Sequence, residues 1–135
     1  MKFIYAFIFT LFFISCNNNN NNDSSKDTIA DKWNVTEIIG GFSQPKSYKK
    51  ETFTWEFDMV NKTVTIVNTS DVFTTLAAPS FTNNQGGVYS FEILEENNSK
   101  FLIVDDRKGT IYFTEKDLKI DYGIAFDDIA YIFKR

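Results

Sequence analysis

From Asp31 onward, apolar and polar residues alternate with a period of two, the spacing that sends successive side chains to opposite faces of a strand. In TFTWEFD, Phe53, Trp55 and Phe57 share one face, while Thr52, Thr54, Glu56 and Asp58 share the other; such a strand covers a core on one side and meets water on the other. KWNVTEII places Trp33, Val35, Glu37 and Ile39 together, and GVYSFEIL alternates Tyr89, Phe91 and Ile93 with Ser90 and Glu92. TVTIVN, FLIVD, TIYFT, LKID and DIAYIFKR read as further strands, with DVFTTL as a short additional one. The connections VNK, EENNSK, DRKG, EKD and YGIAFD are of the short kind that joins antiparallel neighbours. No stretch combines helical periodicity with a capping signal, although GGFSQPKSYKK has room for a helical turn. The pattern predicts an all-β fold, an antiparallel up-and-down meander of about eight strands closing into a small barrel, with a two-sheet sandwich as the alternative.

The amino-terminal residues follow a different rule. Lys2 precedes the uncharged run FIYAFIFTLFFI, which ends at Ile14; it falls short of the roughly 20 apolar residues that span a bilayer and has the form of a secretory leader, residues 1–15. Cys16, the only cysteine, then stands between this run and NNNNNNDSSKD. With Phe13 three places before the cysteine and Ser15 directly before it, FISC resembles the bacterial lipobox, phenylalanine taking the place of the usual leucine. That resemblance implies cleavage before Cys16, lipid attachment at its thiol and a membrane anchor; Asn17 in place of aspartate points to the outer membrane of the cell envelope. Residues 16–28 then form the lipidated cysteine and a flexible linker spanning roughly 20 Å, and residues 29–135 form one domain. A lipidated Cys16 leaves no thiol for a disulfide, so the domain rests on packing alone.

Charge and composition narrow the chemistry. The chain has 18 acidic against 14 basic residues, a balance unsuited to nucleic acid or an anionic membrane surface, which both select a basic patch. It has no histidine, which excludes Ser-His-Asp catalysis and imidazole-based metal sites. The pairs Asp105–Asp106 and Asp127–Asp128 fall in predicted turns, where acidic residues are ordinary. Neither a catalytic residue nor a metal or cofactor is expected, and the chain is read as non-enzymatic.

The tryptophan of ADKW near the start of the first strand, the aromatic strand FTWEF, the meander of hairpins and the closing YIFKR resemble the lipocalin-like domains of small bacterial lipoproteins. The resemblance covers roughly residues 29–135. It implies an eight-stranded barrel and a basic residue, Lys134 or Arg135, packed over Trp33; Asp31 stands where the family has a glycine. It also makes Trp33, Phe53, Trp55, Phe57, Tyr89, Phe91, Phe113 and Tyr131 candidate lining of a cavity for a small apolar or amphipathic ligand. Large rings also plug small barrels, and core packing is their commoner use. An interior below about 100 Å³ speaks against a ligand, since ligand pockets usually run to about 300 Å³ or more. The alternative is a solid barrel that binds an envelope protein partner. The apolar loop TTLAAPSF is then either a lid or a docking surface, with Leu76 and Phe81 as its candidate residues.

Overall fold

Strands form where the alternation predicts them, and they pair in chain order. A computed structural model describes residues 29–75, 78–82 and 86–135; the leader, Cys16, the linker and Leu76 lie outside the described residues. The strands are β1 (Asp31–Gly40), β2 (Lys46–Ser47), β3 (Phe53–Asp58), β4 (Thr63–Asn68), β5 (Gly86–Glu96), β6 (Ser99–Val104), β7 (Arg107–Phe113), β8 (Asp117–Asp121) and β9 (Ile129–Lys134). Each of β3 to β9 pairs antiparallel with its neighbours, and β9 pairs back onto β1 from Asn34↔Lys134 to Gly40↔Ile129. Eight strands, β1 and β3–β9, therefore close into an up-and-down barrel, which leaves no long free edge. Closure excludes the sandwich alternative. The ninth, two-residue β2 lies along Glu37 and Ile38 of β1.

β1 departs from strict alternation at one point. Its pairing with β9 steps from Val35↔Phe133 to Glu37↔Ile132, so Thr36 is the extra residue of a bulge. Past the bulge the faces exchange: Trp33, Val35 and Ile38 are buried, whereas Glu37 and Ile39 are not. The expectation that Trp33, Val35, Glu37 and Ile39 share a face is corrected accordingly. Thr36 is held by its hydroxyl, which donates to the Ile132 carbonyl (3.2 Å), and by its own carbonyl, which accepts the Tyr48 N–H (2.9 Å). The second bond brings Tyr48 and β2 onto the upper part of β1, where a helical turn had room to form.

Two hairpins use the tightest available turn. Asn97–Asn98 and Asp105–Asp106 both have left-handed backbones, with φ of 49° and 61° in the first and 47° and 63° in the second. Asparagine and aspartate tolerate this region, and two such residues match the twist of the flanking strands. Asp105–Asp106 is thus a turn pair, and Arg107, Lys108 and Gly109 belong to β7 rather than to a loop. The described part of DVFTTL, residues 71–75, is no strand and runs as bend and coil. YGIAFD holds a 3₁₀ turn, Ile124–Phe126.

The strand directions define two ends. Ile29, the β3–β4, β5–β6 and β7–β8 connections and Arg135 lie at the lower end; the β1–β3, β4–β5, β6–β7 and β8–β9 connections lie at the upper end. The lower end is shut by Trp33 and Arg135. The Trp33 indole N–H donates to the Ile29 carbonyl (3.0 Å), and the Arg135 guanidinium lies 4.3 Å from the ring centre. Arg135 also donates to the carbonyls of Ala30 (3.1 Å) and Glu115 (3.3 Å), tying the start of the domain to the β7–β8 turn. Of the two basic residues offered for this contact, Lys134 instead pairs with Asp117.

Candidate functional site

Trp55, near the middle of β3, is wholly buried, and its ring meets those of Phe57, Phe81, Tyr131 and Phe133 at centroid separations of 5.4–6.2 Å. Phe57 meets Phe91 edge-on at 5.4 Å, and Phe53 meets Tyr48 and Tyr131 edge-on at 5.1 and 6.3 Å. Of the eight rings expected to line a cavity, Phe53, Trp55, Phe57, Phe91 and Tyr131 therefore fill the interior by packing on one another. Trp33 forms the lower closure, and Tyr89 and Phe113 are half-buried against the core. Phe101 points outward instead, with the Lys108 ammonium 4.1 Å from its ring centre, because the even positions of β6, Leu102 and Val104, face inward.

Phe81 does not stand on the surface, as a docking residue would. It is 2% exposed and enters the barrel from the 3₁₀ turn Ser80–Thr82, meeting Trp55 at 5.7 Å and Tyr89 at 5.6 Å. Ala78, Pro79 and Thr82 are buried with it. The Thr82 hydroxyl accompanies the ring inward, sharing a 2.7 Å hydrogen bond with the Tyr131 hydroxyl and donating to the Pro79 carbonyl at 2.8 Å. Phe81 is therefore a plug in the upper mouth, and the exposed ring of this connection is Phe73.

The upper interior carries more polar groups than it satisfies. The hydroxyls of Tyr48, Tyr122 and Thr75 and the indole N–H of Trp55 are buried without a hydrogen-bond partner among the described residues. Leaving such a group unpaired costs about 1–3 kcal/mol, and native interiors rarely do so. Tyr122 meets Tyr131 edge-on at 6.0 Å, and Tyr131 joins it to Trp55 and, through Phe53, to Tyr48. Burial raises the pKa of all three phenols, Tyr48 to about 12 and Tyr122 and Tyr131 well above the ordinary value. All are neutral hydroxyls at any physiological pH, and those of Tyr48 and Tyr122 are able to donate to an acceptor.

Tyr122 owes its place to Gly109. A Cβ at Gly109 would stand 2.8 Å from Ile120 Cγ2 and 3.0 Å from Tyr122 Cε1. Gly109→Ala is expected to cost about 1–3 kcal/mol through overpacking and to displace Tyr122, read as a lowered urea midpoint and a changed near-ultraviolet dichroism.

Two of the spaces among the described residues bear on the expected rings and turns. One, of about 90 Å³, lies low in the barrel between Ile29, Met59, Ile93, Glu95, Lys100, Ile111 and Phe113; Phe113 alone among the eight expected rings lines it. It is too small for a ligand of ordinary size. The other is a cleft of about 550 Å³ at the upper rim, lined by Ala78, Pro79, Ser80, Asp105, Arg107, Phe126, Asp127 and Asp128. It brings Asp105 together with the Asp127–Asp128 pair, which the sequence showed only as separate turns. Arg107 spans it, donating from Nη2 to both Asp128 carboxylate oxygens (3.1 and 3.2 Å) with its guanidinium 5.4 Å from the Tyr122 ring centre. The segment 78–82 is thus a partition, with residues 78–80 facing the cleft and Phe81 and Thr82 the interior.

Asp121 fixes the loop that carries Phe126. Its carboxylate accepts the N–H groups of Gly123 and Ile124 (2.9 Å each) and pairs with Lys119 (2.7 Å). Burial acts to raise this carboxyl, but Lys119 and the two N–H groups outweigh it and hold the group below its ordinary value.

Comparison with known proteins gives one structural likeness. No family model matches the chain, and no curated protein matches it. Among solved structures, the chain is similar to a lipocalin-like protein from Bacteroides uniformis, with a TM-score of 0.47 and 9% identity over 78% of this chain and 96% of that one.

Proposed function

We propose that this chain is a lipid-anchored protein of the cell envelope whose barrel takes up a small, uncharged, amphipathic molecule in its upper half. The observation that carries the reading is the set of buried donors without partners, Tyr48, Tyr122 and Trp55, gathered by ring contacts around Tyr131. An occupant with a carbonyl or ether oxygen satisfies donors that otherwise cost stability, and its apolar body lies among the rings. The packed interior sets the mode of access: Phe81 and the Thr82–Tyr131 bond give way, and the molecule takes the space of the plug. Lipidation of Cys16 and a linker of residues 17–28 supply the anchor in this reading, supported by the leader pattern and the lipobox resemblance.

The test compares two probes of equal bulk, acetophenone and ethylbenzene, which differ by one acceptor oxygen. Calorimetric titration is expected to show acetophenone binding about tenfold more tightly, the worth of one well-made hydrogen bond. Tyr122→Phe is expected to remove most of that preference, and Phe81→Ala to raise affinity for both probes. Equal binding of the two probes, or none by the native protein at millimolar concentration, defeats the reading. Native mass spectrometry of protein from its own host then identifies the retained molecule.

A second reading, a solid barrel that docks a protein of the envelope, is favoured by a different observation. Phe42, Phe73 and Phe126 are 88%, 71% and 88% exposed, and all three stand on connections of the upper end.

A further inference from the structure

The rim cleft differs from the interior in every chemical respect. It is wide enough to admit a peptide side chain without rearrangement, and its walls are charged. Arg107 is occupied by Asp128 through two hydrogen bonds. Asp105 and Asp127 are exposed, and neither carboxylate has a hydrogen-bond or ion-pair partner among the described residues. With Asp106 in the same turn, the cleft and its edge present a negative field, and Arg107, the one cation lining the cleft among the described residues, is paired with Asp128.

Beside these carboxylates stand the exposed rings. Phe126 lines the cleft directly. Phe42 belongs to the adjoining connection, where the Gly41 N–H donates to the Asp128 carbonyl at 3.1 Å. Phe42 itself has a left-handed backbone, φ 57°, a conformation unfavourable to a bulky side chain. A Cβ at Gly40 would stand 2.3 Å from the Asp128 carbonyl oxygen, so the two loops are seated directly on each other. The geometry holds a phenylalanine in water on a strained backbone, in a loop seated against the one that carries Phe126 and Asp127.

We infer that the upper rim, from Phe42 across Phe126 to Asp105 and Asp127, is a docking surface for a cationic, aromatic-bearing segment of another envelope protein. The lysine or arginine of such a segment meets the carboxylates and the face of Phe126 together, an arrangement in which charge pairing and cation–π attraction reinforce each other. Chain geometry argues against the anchoring membrane as the occupant. On the anchored reading proposed above, the tether of residues 16–28 joins the barrel through Ile29 at its lower end, so the aromatic rim stands at the end opposite the attachment point. An acidic rim also repels anionic headgroups. Beyond that orientation, the inference does not depend on the interior site.

The test uses the full mature chain in phosphatidylcholine nanodiscs, with empty nanodiscs as reference. Fluorescein-labelled peptides alternating lysine with phenylalanine, and glutamate with phenylalanine, are titrated by anisotropy. The lysine peptide is expected to bind at least about tenfold more tightly, with an affinity that falls as salt rises. Phe126→Ser, or Asp105→Asn together with Asp127→Asn, lowers that affinity about tenfold; these residues are exposed, so the variants fold. Phe81→Ala leaves it unchanged, which separates this surface from the interior site. Equal binding of both peptides, indifference to the Phe126 and aspartate variants, or a loss with Phe81→Ala overturns the inference.

Discussion

Trp55→Ala is expected to unfold the barrel or bring it close to unfolding, whereas Phe81→Ala is expected to leave it folded. Both rings are buried and they touch each other, so their difference lies in what each supports. Trp55 sits in β3 between β1 and β4, in register with Trp33 on one side and Ile66 on the other, all three wholly or almost wholly buried. Its removal leaves a void bordered by Phe57, Tyr131 and Phe133, whose backbones are locked in the closed sheet and cannot collapse inward. Truncating a buried tryptophan costs about 3–5 kcal/mol, a large share of the roughly 5–15 kcal/mol that holds an ordinary domain. Phe81 is carried by a 3₁₀ turn outside the sheet, so its loss costs packing without breaking the closed strand order. Its cost is expected at the lower end of the same range, and its cavity to be open to a benzene-sized probe. Urea unfolding followed by far-ultraviolet dichroism separates the two outcomes. Equal destabilisation by both variants would show that Phe81 is an integral part of the core and not a plug.

The strands were legible because one face of each is apolar and the other polar, a signal carried wholly by neighbouring residues. Phe53, Trp55 and Phe57 illustrate it: the alternation in the sequence is the alternation across the sheet. Closure into a barrel, expected from the meander and the family resemblance with a sandwich as the alternative, is set by the pairing of Asn34–Gly40 with Ile129–Lys134, residues about a hundred positions apart, which the alternation alone does not record. The bulge at Thr36 was hidden, because an extra residue changes the face of Glu37 and Ile39 without changing any residue type. The candidate sites were less legible than the strands. Phe81 and Phe73 lie in one apolar connection and look alike in sequence; only the turn Ser80–Thr82 and the Thr82–Tyr131 hydrogen bond send one ring inward. Asp105 and Asp127 read correctly as turn residues, yet the cleft arises because two turns from different hairpins meet at the same end. The left-handed geometry of Asp105–Asp106 is itself a local signal, a two-residue acidic pair between two apolar runs, and it places both residues at the tip of a tight hairpin. The basic partner of Trp33 came from the family resemblance and not from periodicity.

The barrel is expected to keep a constant stability up to about pH 10 and then lose it steeply, because its interior is built on phenols that must stay neutral. An unfolded tyrosine ionises near pH 10. In the folded chain burial raises Tyr48 to about 12 and raises Tyr122 and Tyr131 well above their ordinary value; for Tyr122 the Arg107 guanidinium opposes burial and Asp128 adds to it, and for Tyr131 the Thr82 hydrogen bond opposes it. Above pH 10 the unfolded chain releases these protons and the folded chain keeps them, so the unfolded state gains free energy with every further unit of pH. Each phenol contributes a loss of about 1.4 kcal/mol per unit between its unfolded and folded values, and three together approach about 4 kcal/mol per unit. A domain of ordinary stability does not survive much more than two such units, so unfolding is expected before the most deeply buried phenols titrate in place. Urea unfolding at intervals from pH 8 to 11.5 measures the slope directly. Tyr131→Phe is expected to lower stability near neutrality by about 1 kcal/mol, through the lost bond to Thr82, while removing about a third of the alkaline slope. A native protein whose urea midpoint stays level to pH 11 would mean that these hydroxyls reach water, and the buried donors on which interior binding is proposed would then already be satisfied.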